Sequence, residues 1–180
     1  MDNPGEVVGG PVKAIVVEVA EFFWRDGQYV EGPRVLAQTV TYDAQADTTE
    51  DLKYYADGSV LFKLVTTRDA GGQKSTGHRY HTDGSLIDKW LIYYHPDGSK
   101  SEAYRYSADG RLLQRHAYTS EEPVRESGFE EHSPRVEELC EREFDSRGNW
   151  VKEVRFTRST EAGRSSVEPT TVIYRTITYL

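Results

Sequence analysis

Glycines recur along this chain on alternating gaps of 14 and 12 residues, at Gly58, Gly72, Gly84, Gly98 and Gly110. Gly148 follows 38 residues later, which is 12 plus 26. The unit is therefore 26 residues long. A fixed period of this kind constrains a fold more than any local propensity does.

Each glycine closes a turn. Ala56-Asp57, Thr82-Asp83, Pro96-Asp97 and Ala108-Asp109 precede four of them. Asp-Gly at this density marks β-hairpins. Pro96 sets the loop length, because it has no N–H to give to a strand ladder. A three-residue loop Pro96-Asp97-Gly98 removes the conflict and leaves Gly98 in the left-handed position. That loop sets the residue four before each glycine against the residue two after it. The expected pairs are Tyr54 with Val60, Tyr80 with Leu86, Tyr94 with Lys100, Tyr106 with Leu112 and Phe144 with Trp150. Four of these five are aromatic on apolar, a stabilising cross-strand combination. The same rule sets Phe23 against Tyr29, Tyr42 against Thr48 and Arg68 against Lys74.

The glycine gaps from Gly58 to Gly148 are all even, and side chains on a strand alternate with period two. Even-numbered residues from Tyr42 to Phe156 are therefore expected on one inner face. It would carry Phe62, Leu64, Trp90, Ile92, Tyr94, Tyr104, Tyr106, Trp150 and Phe156. Strands are expected near 12–24, 28–42, 48–55, 59–68, 73–80, 85–94, 99–106, 111–119, 135–144, 149–158 and 170–180, the second interrupted at Gly32-Pro33. The stretches 120–134 and 159–169 are polar and hold Pro123, Pro134 and Pro169, so they are expected as long loops. The expected fold is all-β: an antiparallel up-and-down meander of eleven strands in an open, strongly curved sheet. It forms a single domain over 1–180, with its repeat core at 42–156. The last strand, near 170–180, is β-branched and aromatic, so it is expected to be paired on one side with the strand near 149–158. Its other side is expected to be covered or paired, with a second copy of the chain as one candidate.

Composition narrows the partners. The net charge of −8 argues against nucleic acid or an anionic membrane as partner of the whole chain. No run approaches a membrane span. Cys140 is the only cysteine, which removes an intramolecular disulfide and leaves the redox compartment open. A buried or half-buried thiol is the expectation there. The five histidines fall on separate turns and strands, too dispersed for a shared metal, and the turn aspartates are accounted for by turn chemistry. No Walker loop, dinucleotide fingerprint, His-Glu-x-x-His or Gly-x-Ser-x-Gly is present. Neither an activity nor a cofactor is expected.

Two patterns point to binding. Trp90, Tyr94, Tyr104, Tyr106 and Trp150 form a candidate ligand face. Lys63, Lys89 and Arg115 recur at 26, as do Lys53, Arg79 and Arg105. All six are odd-numbered, one per successive strand, and form a candidate stripe for an anionic partner such as an acidic glycan. The register would set Lys63 opposite Arg79 and Lys89 opposite Arg105. A solvated outer face accounts for the same charges.

The stretch Tyr104-Arg105-Tyr106-Ser107-Ala108-Asp109-Gly110-Arg111-Leu112 resembles the Tyr-x-Tyr-Asp-x-x-Gly-Arg-Leu signature of YD repeats in RHS-type proteins, with Ser107 in place of the aspartate. Tyr42-Asp43-Ala44-Gln45 starts another copy, and Phe144-Asp145-Ser146-Arg147-Gly148-Asn149 is a third. Tyr93-Tyr94-His95-Pro96-Asp97-Gly98 is also similar to MORN-like repeats of bacterial proteins. The first resemblance implies the repeat fold and an exported bacterial setting and carries over no activity; the leading expectation is a non-enzymatic repeat module, structural or binding, of such a protein. A binder of small ligands or glycans on the aromatic face is the alternative. An exported protein is expected in the periplasm or outside the cell, with its signal peptide absent from this chain; a cytoplasmic location stays open.

Overall fold

The computed structural model describes residues 11–43, 47–118, 135–161 and 164–180. Within them every regular element is a strand. The first six are β1 (Val12–Arg25), β2 (Gln28–Glu31), β3 (Val35–Tyr42), β4 (Thr48–Tyr54), β5 (Val60–Arg68) and β6 (Lys74–Tyr80). There follow β7 (Leu86–Tyr94), β8 (Lys100–Ser107), β9 (Leu112–Ala117), β10 (Arg135–Phe144), β11 (Trp150–Glu161) and β12 (Arg164–Tyr179). The twelve strands form one sheet in the order β10-β11-β12-β1-β3-β4-β5-β6-β7-β8-β9, with β2 beside β1. The fold is all-β, antiparallel and up-and-down, and the linear order leaves the sheet open. Two compact units divide the chain, Met1–Ala37 with Arg125–Leu180, and Gln38–Val124. They are called the terminal unit and the middle unit below.

Three features of the chain path differ from expectation. The run of sequence neighbours breaks between β9 and β10 and is restored by pairing β12 with β1. The C-terminal strand is thus held on both sides, by β11 and by β1, so β1 takes the place left open for a second copy. Residues 159–161 and 164–169 are strand rather than loop, because Pro169 sits at a bulge where β11 and β12 skip Thr170. The expected loop over 120–134 lies outside the described residues.

The repeated turns close as the proline argument requires. Gly58 N–H donates to the Tyr55 carbonyl at 3.0 Å, and Tyr55 N–H donates to the Ser59 carbonyl at 2.8 Å. Gly58, Gly84, Gly98, Gly110 and Gly148 have φ between 81° and 89°, the left-handed region that favours glycine. The Asp57 carboxylate accepts the Ser59 N–H at 2.9 Å and its hydroxyl at 2.6 Å, and Asp83–Ser85 and Asp97–Ser99 repeat the arrangement. All five aromatic end pairs stand: Tyr54–Val60, Tyr80–Leu86, Tyr94–Lys100, Tyr106–Leu112 and Phe144–Trp150.

The three other turns are not of this length. Arg25 faces Gln28 across a two-residue Asp26-Gly27 turn, both residues at positive φ, so Tyr29 meets Trp24 and not Phe23. No proline there forces a third loop residue. Arg68 faces Ser75 rather than Lys74, because the loop holding Gly71-Gly72 is one residue longer. Tyr42 faces Thr49 rather than Thr48.

The larger correction concerns the faces. Immediately inside each three-residue turn lies a bulge. Tyr54 faces Val60, yet Lys53 faces Phe62, so Leu61 is an extra residue. Ile87, Ser101, Leu113 and Val151 are skipped in the same way. One extra residue inverts the alternation beyond it. The longer turn between β5 and β6 inverts it too, without a bulge. Parity therefore reverses at each of these hairpins. In the middle unit one face holds even residues of β3, β5, β7 and β9 and odd residues of β4, β6 and β8. Every buried residue described in that unit lies on this face: Gln38, Val40, Ser75, Gly77, Asp88 and Ala103. We call it the covered face and its opposite the open face. The terminal unit has its own core, in which Ile15 and Val172 are fully buried.

Candidate functional site

The inversion splits both candidate groups. Lys53, Arg79 and Arg105 lie on the covered face, and Lys63, Lys89 and Arg115 on the open face. Lys63 faces Tyr80 rather than Arg79, and Lys89 faces Tyr106 rather than Arg105. Of the aromatic set, Trp90 and Tyr94 belong to the covered face and Tyr104 and Tyr106 to the open face, while Trp150 is in the terminal unit. The open face brings together three of the six cations and two of the five aromatics.

On the covered face, the cations are taken up by a carboxylate that sequence pattern alone passes over. Asp88 is 1% exposed at the middle of three strands. Arg79 on β6 donates to its two oxygens, Nε at 3.1 Å and Nη2 at 2.5 Å. Arg105 on β8 approaches Oδ2 with Nε at 2.8 Å and Nη2 at 2.7 Å. Burial pushes the Asp88 carboxyl up, but the hydrogen bonds and charges of Arg79 and Arg105 outweigh it and hold the group below the usual carboxylate range. The guanidiniums also lie over rings, Arg79 over Phe62 at 5.3 Å and Arg105 over Trp90 at 5.2 Å. With both oxygens committed to cations, this carboxylate is placed as a structural brace and not as a proton acceptor. The signal was an acidic residue at an interior-face position, which needs a cationic partner. Lys53 is half-buried beside Asp51. Burial lowers the Lys53 ammonium against the Asp51 charge, and burial raises the Asp51 carboxyl against Lys53 and Gln38.

The open face carries a tyrosine row. Tyr93 meets Tyr104 edge-on at 6.2 Å between centroids, and Tyr104 stacks with Tyr106 at 6.4 Å. Tyr104 donates its hydroxyl to Glu102 at 2.7 Å, and Arg115 holds the other oxygen of Glu102 at 2.7 Å. The Arg115 hydrogen bond, then that of Tyr104, holds Glu102 below its usual range. A shallow recess of about 700 Å³ lies over Leu91, Tyr93, Ser101, Glu102, Tyr104 and Tyr106. A second, about 480 Å³, lies over Leu52, Lys63, Val65, Tyr80 and His81. Lys89 stands between His78 and Tyr106 with no ion-pair partner among the described residues. Lys63 is 3.2 Å from Glu50 in an exposed pair.

The terminal unit has a second brace. Glu153 is 1% exposed and is held at 2.7 Å by Arg142 on β10 and at 2.7 Å by Arg155 on its own strand. Burial raises its carboxyl, and the Arg155 and Arg142 hydrogen bonds more than reverse that. Arg142 and Arg175 both lie over Trp150, at 5.7 and 4.2 Å. A polar recess of about 450 Å³ opens over Glu138, Cys140, Arg155 and Thr171. Cys140 faces Arg155 and is exposed, not buried as expected, because β10 lies at the end of the strand order. Among the described residues no three His, Cys, Asp or Glu side chains are grouped as a metal would need.

No family model and no curated protein matches the chain. Among solved structures it is similar to a porin-like protein from Bacteroides uniformis, at 12% identity and a TM-score of 0.35, over 94% of this chain and 98% of that one. A likeness at that score carries no argument about role. No helix among the described residues is long and apolar enough to cross a membrane.

Proposed function

We propose that this chain is a non-enzymatic β-repeat module of an exported bacterial protein, and that the open face of its middle unit binds an acidic glycan. One observation supports the binding reading above the rest: the cations are segregated. On the covered face Arg79 and Arg105 are committed to Asp88, Lys53 lies beside Asp51, and Arg68 lies over the Tyr94 ring. Those on the open face stand among stacked tyrosines. That face sets Lys63, Lys74, Lys89 and Arg115 against Glu50 and Glu102, in a chain whose net charge is −8. Tyrosine rings offer flat apolar surface to sugar rings and hydroxyls to their edges. Lysines and an arginine on the same face suit carboxylate or sulfate groups. The bacterial and exported setting rests on the resemblance of Tyr104–Leu112 to YD repeats.

The test is retention on a heparin-like column beside a neutral-glucan column. The parent chain should be held by the first alone. Replacing Lys63, Lys89 and Arg115 by Ser should abolish retention with the thermal transition unchanged, because the ion pairs removed are exposed. Tyr104→Ala with Tyr106→Ala should weaken retention while leaving the cations in place. A purely structural module is the second reading, favoured by the two buried arginine–carboxylate braces. It predicts no retention of the parent chain on either column.

A further inference from the structure

The open face of the middle unit repeats in space as it does in sequence. Lys63, Lys89 and Arg115 fall 26 residues apart, as do Tyr80 and Tyr106, and His78 and Tyr104. Lys63 faces Tyr80, and Lys89 faces Tyr106, across neighbouring strands. The row of facing residues through Lys89 runs by His78 to Val65 on β5, two residues beyond Lys63. The row through Arg115 runs by Tyr104 to Leu91 on β7, two residues beyond Lys89. Each cation therefore lies two strands across and two residues along from the one before, in the same sense both times. That step is about 12 Å. Midway along each step stands a pair of rings, His78 with Tyr80 and Tyr104 with Tyr106, each pair 6.4 Å between centroids. None of these seven side chains is buried. Along the diagonal the face reads cation, ring pair, cation, ring pair, cation. The carboxylates keep the same period with one gap. Glu50 and Glu102 pair with Lys63 and Arg115 at 3.2 and 2.7 Å, and the equivalent position beside Lys89 is Thr76.

We propose that this diagonal binds a linear polysaccharide in which acidic and neutral sugars alternate, each acidic sugar over a cation and each neutral sugar over a ring pair. The proposal rests on the acidic-glycan reading of this face and adds where along the glycan its charges must lie. Half a step is about 6 Å, close to the length of one sugar in an extended chain, so successive sugars meet successive places. The cations suit carboxylate or sulfate groups. The rings suit the apolar face of a sugar, and the negative face of a tyrosine ring disfavours an anion. A glycan charged on every sugar would set anions over Tyr80 and Tyr106. A neutral glycan would leave the cations unused. The glycan crosses the strands rather than following one, because the open-face residues along β7 past its bulge are Lys89, Leu91 and Tyr93, with a single cation. Lys89 is the strongest place on the diagonal, since Lys63 and Arg115 must give up a carboxylate to meet the glycan.

The test compares the salt needed to elute the full-length chain from immobilised hyaluronan, with a carboxylate on every second sugar, and from polygalacturonate, with one on every sugar. Hyaluronan should require the higher salt although it is the less densely charged. Tyr80→Thr with Tyr106→Thr should bring the two elution points together, threonine keeping the preference for strand. Lys89→Ser should lower the hyaluronan elution point more than Lys63→Ser does. Thr76→Glu gives Lys89 the carboxylate that its equivalents have, and should lower the same elution point with no cation removed. Polygalacturonate held as tightly as hyaluronan would overturn the alternating arrangement and leave the acidic-glycan reading standing. So would a preference that survives the loss of both tyrosines. Should the double tyrosine variant fail to fold, Thr76→Glu decides, and an unchanged elution point there overturns the proposal. A parent chain held by none of the acidic columns would overturn both.

Discussion

The two buried carboxylates hold two arginines each, yet they tie their sheets differently. Asp88 draws its cations from both neighbouring strands, so one carboxylate joins β6, β7 and β8. Glu153 has one cation on β10 and the other two residues along its own strand. The next strand, β12, lays Arg175 over Trp150. Side-chain length accounts for part of this. Aspartate is short and meets what the flanking strands bring to it, whereas glutamate can turn along its own strand. Exposure differs in the same sense: the Asp88 arginines are 25% and 33% exposed, and those of Glu153 are 34% and 46%. A brace that spans three strands with less-exposed cations should matter more when removed.

The largest expected effect is therefore from Asp88→Ala. It leaves two partly desolvated guanidiniums facing each other without a counter-charge, a change that costs about 3–5 kcal/mol in buried pairs. Urea unfolding of the middle unit reads it. Glu153→Ala should cost less, about 1–3 kcal/mol, since its arginines can turn to water. Equal losses, or a larger one at Glu153, would break the comparison.

Acid titration sharpens it. Both carboxyls titrate below their ordinary values in the folded chain. A depressed folded pKa gives stability that is full above the unfolded value, about 4, and is lost as pH falls through the folded value. Stability should therefore fall on acidification below about pH 4. Asp88→Ala should flatten that acid limb more than Glu153→Ala does, in unfolding curves taken across the range.

The smallest effect belongs to Lys152→Ala. Glu143 and Lys152 occupy the turn position that Arg79 and Asp88 occupy in the middle unit, the first pair inside the bulge, with the charges reversed. Glu143 is 66% exposed, and such pairs contribute about 0–1 kcal/mol. A shift in melting temperature near the error of the measurement is expected. A large loss would mean that position in the turn, and not burial, decides the value of a charge pair.

Much of this was legible in the sequence. Pro96 and the glycine period set the loop length, and the five aromatic end pairs followed by counting. Antiparallel order followed from the same beat, while the count came to eleven where twelve strands form, because the expected second strand is divided into β2 and β3 at Gly32-Pro33. The bulges at Leu61, Ile87, Ser101, Leu113 and Val151 were not legible, since a bulge residue needs no special side chain and leaves the glycine spacing even. Missing them merged two faces into one and put six cations on a single stripe. The partner of β12 was hidden for another reason. Pairing between the first and last strands is set by the path of the whole sheet, and no local pattern in 170–180 names β1.

The bulged turns also limit how such a chain can grow. Each hairpin exchanges inside for outside, so two hairpins restore the original assignment. That is why Lys63, Lys89 and Arg115 share one face although two reversals separate each from the next. Duplicating 26 residues inserts two reversals, and every side chain downstream keeps its surroundings. Duplicating a single hairpin inserts one, which would send Asp88 toward solvent and Leu91 toward the arginines. The heritable unit of this architecture is thus the pair of hairpins, and gene duplications that add or remove half of it should be selected against.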